Sequence, residues 1–293
     1  MKGVNLMKDI STSRKIVVIT GASTGIGWAT AKLLAQRGYT VYGSVRTERT
    51  VNQLINQPNL RPLLMDVRDE ATIQRAVQAV RAELDPSDEV VGIINNAGIA
   101  VSGPLAYVPL DKAREQFEVN VVGLLAVTQA FLPLLQAGQI AGRIINISSV
   151  AGRVATPFLG LYAASKHAVE ALSDSLRREL MPFGLKVIVI QPGPTATPIW
   201  EKGGDETIQL YAQTPYGTLL KNLQQYFARR GKAGLPPESV AKVVLHALTI
   251  PNPRTRYLVT QGKLGTYFSR ILPDKSLDRL MFERMGLDKI NRH

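Results

Sequence analysis

The chain contains no cysteine, which excludes disulfides, thiolate catalysis and sulfur-ligated metals. Its three histidines, His167, His246 and His293, are not grouped as metal ligands are, so no metal site is expected. Lys and Arg number 35 against 23 Asp and Glu, a formal charge of +12, yet no block of five or six like charges occurs. That scatter argues against a nucleic-acid surface, and for solubility and attraction of a small polyanion. The first fifteen residues hold no continuous apolar run, so no secretory signal is read there and a cytoplasmic protein is expected. No Pro/Gly/Ser-rich linker divides the 293 residues, and 45% apolar content suffices for the core of one α/β domain. Charge is also missing between Glu118 and Arg143, a stretch long enough to cross a bilayer. Asn120, Thr128, Gln129, Pro133, Gln136 and Gln139 interrupt it, so a helix buried between a sheet and a neighbouring subunit is the better reading.

What is present is an alternation of short β-branched runs with helical patterns. The expected strands are Ile16–Thr20, Thr40–Val45, Pro62–Met65, Val90–Ile94, Arg143–Ile147, Lys186–Ile190 and Tyr257–Val259. The helices between them are expected at Gly25–Arg37, Glu48–Asn56, Asp69–Leu84, Leu110–Gln136, Ser165–Met181 and Pro237–Leu248. This order predicts a doubly wound parallel sheet. Ligands in such sheets bind beyond the carboxyl ends of the strands. Gly21–Gly27, Arg46, Asp66, Asn95–Gly98, Ser148–Ser149 and Pro192–Thr197 should therefore gather along one edge.

The first of these segments reads Thr20-Gly21-Ala22-Ser23-Thr24-Gly25-Ile26-Gly27, between a buried strand and an amphipathic helix that stops at Gly38. Strand, glycine turn and helix together aim backbone N–H groups and a positive helix end at a phosphate. Gly21 suits the tight turn, Gly25 the close approach of a pyrophosphate and Gly27 close helix–strand packing.

A second pattern is Tyr162-Ala163-Ala164-Ser165-Lys166, with Ser149 thirteen positions upstream. On a helix, residues four apart lie on one face. An ammonium beside a phenol favours the phenolate. Bringing a phenol from about 10 to near neutrality takes roughly 4 kcal/mol of differential stabilisation. Alone, this spacing is as consistent with a solvated surface pair.

Taken together, Thr20-Gly21-x-x-x-Gly25-x-Gly27, Asp66, Asn95-Asn96-Ala97-Gly98, Asn120, Ser149, Tyr162-x-x-x-Lys166 and Pro192-Gly193 resemble the short-chain dehydrogenase/reductase family over about Lys15 to Trp200. Gly92–Ile99 and Ser173–Leu180 are similar to its retinol and hydroxysteroid dehydrogenase branch. The resemblance implies a Rossmann-like fold and hydride transfer between a nicotinamide dinucleotide and an alcohol or carbonyl. Tyr162 is then the general acid/base. Lys166 lowers the Tyr162 pKa and holds the nicotinamide ribose, Ser149 polarises the substrate oxygen, and Asn120 anchors a water leading to solvent. Ser148 is the rival to Ser149, and backbone bonding in a distorted helix the rival role for Asn120. The dinucleotide would be held by Gly21, Ser23, Thr24, Gly25, Ile26, Gly27, Arg46, Asp66, Val67, Asn96, Ala97, Gly98, Tyr162, Lys166, Pro192, Gly193 and Thr195. Asp66 would accept from the adenine amino group unless it caps a helix. Thr195 would meet the carboxamide unless it is a plain turn residue, and Asn95 would bridge strands.

Where NAD-preferring relatives carry an acid, this chain reads Ser44-Val45-Arg46. Arg46 can pair with a 2′-phosphate, so NADP(H) is expected over NAD(H), with Thr24 standing where many NADP enzymes have a second base. Residues 198–236 are expected to form a substrate lid, in which Trp200, Tyr211, Tyr216, Leu219, Leu223, Tyr226 and Phe227 either line a pocket for a lipophilic ketone or alcohol or simply pack within the lid. Residues 1–14 are an extension, and 261–293 a tail. Its helix, Asp274–Met285, ends at Gly286 and either closes the pocket or rests on a membrane. Apolar faces near Gly123–Leu135 and Ala168–Leu180 suggest a homodimer or homotetramer. A catalytically silent dinucleotide sensor is the competing function; it would be expected to lack the tyrosine or lysine, and both are here.

Overall fold

The computed structural model describes residues 13–200, 209–217, 231–262 and 271–287, together with 219, 220, 225, 229, 265 and 266. Seven strands form one parallel sheet in the order β3-β2-β1-β4-β5-β6-β7. They are β1 (Lys15–Ile19), β2 (Thr40–Val45), β3 (Leu60–Leu64), β4 (Glu89–Asn95), β5 (Arg143–Ile147), β6 (Lys186–Pro192) and β7 (Arg256–Val259). The helices are α1 (Gly25–Gln36), α2 (Glu48–Ile55), α3 (Glu70–Ala82), α4 (Leu110–Phe117), α5 (Gly123–Gln136), α6 (Gly160–Leu180), α7 (Pro237–Thr249) and α8 (Asp274–Arg284).

Parallel strands covered on both faces read as continuous apolar runs. Ile16, Val17, Val18 and Ile19 are all fully buried. Their alternation divides the core. Ile16 and Val18 join Ile73 and Val77 of α3 with Val127 and Phe131 of α5. Val17 and Ile19 join Leu34 of α1 with Val240 and Val244 of α7 on the other face. The chain runs outward from β1 through β2 to β3, then returns to place β4 against the free side of β1. That reversal opens a crevice at the carboxyl ends of β1 and β4.

Two differences from the expected elements bear on the site. Leu110–Gln136 is not one regular helix: a five-residue π-helical turn, Glu118–Val122, joins α4 to α5. The whole stretch is apolar enough to cross a bilayer, with half of its apolar window buried. Leu124, Val127, Thr128, Phe131, Leu134 and Leu135 of α5 are among its buried residues. The second difference is the start of α6 at Gly160 instead of Ser165, which places Tyr162 and Lys166 on the same helix.

Candidate active site

The expected strand ends converge on one cleft of about 930 Å³. At one end lies the glycine turn. Gly21 and Gly25 adopt left-handed φ of +67° and +57°, where side chains are strained, and a Cβ on Gly25 would press to 3.0 Å from Thr197 Cγ2. Gly27 packs α1 closely onto the ends of β1 and β4: a Cβ there would run into Gly21 O and Asn96 Nδ2. Helix α1 starts at Gly25, and the side chain of its N-cap, Thr24, makes no capping bond. The first-turn N–H groups are thus left for an outside acceptor. Ser23, Thr24, Gly25 and Ile26 line the cleft there. This anion cradle fits a dinucleotide pyrophosphate.

Thr20 and Asn96 hold the turn in place. Thr20 Oγ1 accepts from the backbone N–H groups of Asn96 and Ala97, both at 2.9 Å. Asn96 Nδ2 donates to Thr20 O at 2.9 Å and Gly21 O at 3.1 Å. Sequence reasoning did not give Thr20 this role; a hydroxyl at the last position before the glycine turn was the available signal. Asn95 bridges strands as expected, donating to Asn146 Oδ1 at 2.8 Å and Thr128 Oγ1 at 2.9 Å.

Beyond the end of β2, exposed Arg46 lines the cleft with Thr47, Thr50, Asp66 and Val67. Asp66 is not the helix cap. Asp69 caps α3, accepting from the N–H groups of Ala71 and Thr72. The Asp66 carboxylate instead accepts from Arg68, 2.7 Å from Nη2 to Oδ2, and this bond holds it below the usual carboxylate range.

The π-helical turn carries Asn120, which is buried. Its Oδ1 accepts from Ile99 N at 2.9 Å, and Nδ2 donates to Ile99 O and Ser165 Oγ, both at 3.0 Å. The side chain is therefore spent on backbone and Ser165, the alternative noted for a distorted helix. Gln116, fully buried and absent from the expected site, continues this clasp, accepting from Val101 N at 2.7 Å and donating to Ile99 O at 2.8 Å.

Ser149, Tyr162 and Lys166 share one wall of the cleft. Ser149 Oγ accepts from Ala151 N at 3.1 Å, capping a short 3-10 turn, and donates to Pro192 O at 3.5 Å. Its hydroxyl is near enough to the Tyr162 phenol to lower its pKa. Ser148 Oγ lies against Gly152, without a hydrogen-bond partner among the described residues. Ser149 is thus the serine that acts on Tyr162. Lys166 Nζ donates to Ile147 O at 2.8 Å and stands 5.8 Å from the centre of the Tyr162 ring.

Burial pushes the phenol up, while the Ser149 hydroxyl pulls it down. Burial lowers the Lys166 ammonium to about 8, against the pull of the Glu170 carboxylate. The expected depression of the phenol by Lys166 is not met by the protein alone, because both groups are desolvated and the ammonium is bonded elsewhere. In this state the phenol holds its proton, as a proton donor to a carbonyl must.

Ala97, Gly98, Pro192, Gly193 and Thr195 complete the cleft, and Thr195 Oγ1 donates to Gly193 O at 3.0 Å. The expected lid residues behave differently. Tyr211, Tyr216 and Leu219 do not line the cleft but cluster with Phe158 and Met285. Leu223, Tyr226, Phe227 and the side chain of Trp200 fall outside the described residues, as do residues 1–12 of the extension. The wall they were expected to form is partly supplied by the tail, through Leu272, Leu280, Met281, Arg284 and Met285. The left-handed turn at Gly286 ends α8 near its expected place.

Residues 15–207 match the family model described as short chain dehydrogenase. The chain is 37% identical to the NADPH-dependent 3-dehydrocapnine reductase of Ornithobacterium rhinotracheale, over 92% of this chain and 96% of that protein. It is 35% identical to retinol dehydrogenase 16 of Mus musculus, over 92% and 88% respectively. Among solved structures it resembles a short chain dehydrogenase/reductase from Burkholderia phymatum in complex with NAD. There the TM-score is 0.76 and the identity 27%, covering 88% of this chain and 93% of that one. The chain belongs to the short-chain dehydrogenase/reductase family and is an oxidoreductase of CH–OH groups and carbonyls that uses NAD(P)(H).

Proposed function

We propose that the protein is an NADPH-dependent carbonyl reductase acting on a lipophilic ketone, and in reverse an alcohol dehydrogenase. The observation carrying this reading is that Ser149, Tyr162 and Lys166 line the same cleft as the Gly21–Gly27 cradle and Arg46. The dinucleotide supplies the hydride when bound. The pyrophosphate would lie on the first-turn N–H groups of α1. Tyr162 gives its proton to the carbonyl oxygen that Ser149 holds. Lys166 would bind the ribose and return a proton to Tyr162, taking its own replacement from solvent. Asn120 keeps the π-helical turn beside them.

Preference for the phosphorylated dinucleotide is supported by Arg46 at the cleft edge, where no carboxylate ends β2. The O. rhinotracheale relative is named for NADPH, whereas the B. phymatum structure holds NAD. A lipophilic substrate is supported by the apolar tail residues Leu272, Leu280, Met281 and Met285 in the cleft wall. We further read the protein as cytoplasmic and as a dimer or tetramer formed through α5 and α6, which light scattering on the eluted protein tests.

The experiment is a panel of ketones, steroids, retinoids and acyl thioesters, followed by NADPH absorbance. Tyr162→Phe removes the proton donor and is expected to lower turnover by about 10²- to 10⁴-fold, with dinucleotide binding kept. Wild-type turnover in this variant, or no dinucleotide binding by the native protein, refutes the reading.

A further inference from the structure

One helical turn beyond Lys166, the carboxylate of Glu170 is only 4% exposed. Its Oε1 accepts from Gln191 Nε2 of β6 at 2.8 Å. Its Oε2 accepts from Arg256 Nε of β7 at 2.9 Å and lies 3.1 Å from Arg153 Nη2. Arg153 closes the 3-10 turn that Ser149 opens. Arg256 Nη2 also lies 2.8 Å from Asp174 Oδ1, which Arg177 contacts at 3.0 Å. Tyr162, Lys166, Glu170 and Asp174 therefore follow one another at four-residue spacing along one stripe of α6.

One carboxylate thus joins the turn carrying Ser149, the helix carrying Tyr162 and Lys166, and the two strands beyond β5. A buried ion pair is a poor source of stability, because desolvation consumes most of the attraction. Its position suggests a different use. We infer that Glu170 is a positioning residue that keeps the buried Lys166 ammonium charged, with Arg153 and Arg256 setting how much negative charge reaches it.

The charge balance around Lys166 supports this. Among the described residues, the charged and titratable groups facing it from its own helix are Tyr162 and Glu170; Arg153 from the turn after β5 and Arg256 from β7 reach Glu170 instead. Neutral Asn120 lies on the side toward Gly98. Glu170 is the negative group that opposes the effect of burial on the ammonium. Held by two strands and two arginines, its carboxylate cannot swing to contact the ammonium directly and draw it away from the cleft.

The inference rests on Lys166 being the proton relay of the proposed reaction. It is tested by titrating the lysine itself, whether or not a substrate turns over, so the two readings fail separately. The probe is the intact chain with lysine labelled at Cε with ¹³C, the Lys166 resonance being the one lost in Lys166→Arg. Glu170→Gln is expected to move the Lys166 midpoint to lower pH by about half a unit or more, and Glu170→Asp to restore it toward the native value. Arg153→Gln exposes the ammonium to more of the Glu170 charge and is expected to move the midpoint to higher pH. Opposite shifts are not what a merely structural role produces. Unmoved midpoints, or shifts of the same sign in Glu170→Gln and Arg153→Gln, overturn the assignment. Should Glu170→Gln fail to fold, Arg153→Gln decides alone, an unmoved or acid-ward midpoint overturning the inference.

Discussion

Replacing Lys166 by methionine should change how stability depends on pH, with a sign fixed by burial. The folded chain holds this ammonium at about 8, whereas an unfolded lysine titrates near about 10.4. Between those values the unfolded chain binds the proton and the folded chain does not. Folding stability therefore rises with pH across that window. Below pH 8 the penalty for keeping the charge inside is fully present; it is relieved as pH climbs through the folded value. Working the two titrations through, the native protein gains about 2 kcal/mol relative to Lys166→Met from pH 7.5 to pH 9.5. Stopping at 9.5 keeps clear of Tyr162, whose raised phenol makes the folded state lose relative stability only above about 10. Urea unfolding of both proteins at several pH values, without dinucleotide, measures the difference. Parallel stability profiles would refute the claim that burial governs this amine. A difference that shrinks with pH would mean the folded ammonium is stabilised instead, by partners stronger than its bond to Ile147 O.

Arg46→Asp should raise the KM for NADPH by tenfold or more and leave or lower that for NADH, since a cation facing a 2′-phosphate becomes an anion; steady-state kinetics with both dinucleotides decide it. Gly25→Ala should weaken dinucleotide binding at least tenfold in a fluorescence titration, because φ is +57° and the new Cβ meets Thr197. Asn120→Ala leaves the half-buried Ile99 N–H without its partner, while Ile99 C=O keeps the bond from Gln116. It should cost about 1–3 kcal/mol in urea unfolding; a loss under 0.5 kcal/mol would mean that water replaces the amide readily.

Much of the fold was legible because its signals are local. Consecutive β-branched residues such as Ile16–Ile19 can be buried on both faces only in a covered parallel strand. Gly38 and Gly286 end α1 and α8 near their expected places, because a left-handed residue after the last turn is cheapest as glycine. The start of α6 was less legible: Phe158, Leu159 and Gly160 carry no capping side chain, and the helix begins where Phe158 packs into the cluster with Tyr211 and Met285. The π-helical turn was hidden for a similar reason. Nothing in Glu118–Val122 breaks a helix locally; its distortion accompanies bonds from Asn120 to Ile99 and Ser165, distant in sequence.

By itself the sequence determined the alternation of strands and helices, the glycine cradle, and the presence and order of Ser149, Tyr162 and Lys166. Each is written in a few adjacent residues or in one repeating period. Only the tertiary structure decided which charges stand near the amine, that Asn120 bonds Ile99 and Ser165, and that the tail supplies a wall of the cleft. Those outcomes depend on burial and on partners tens of residues away, and desolvation is a property of the packed whole that no short stretch of chain contains.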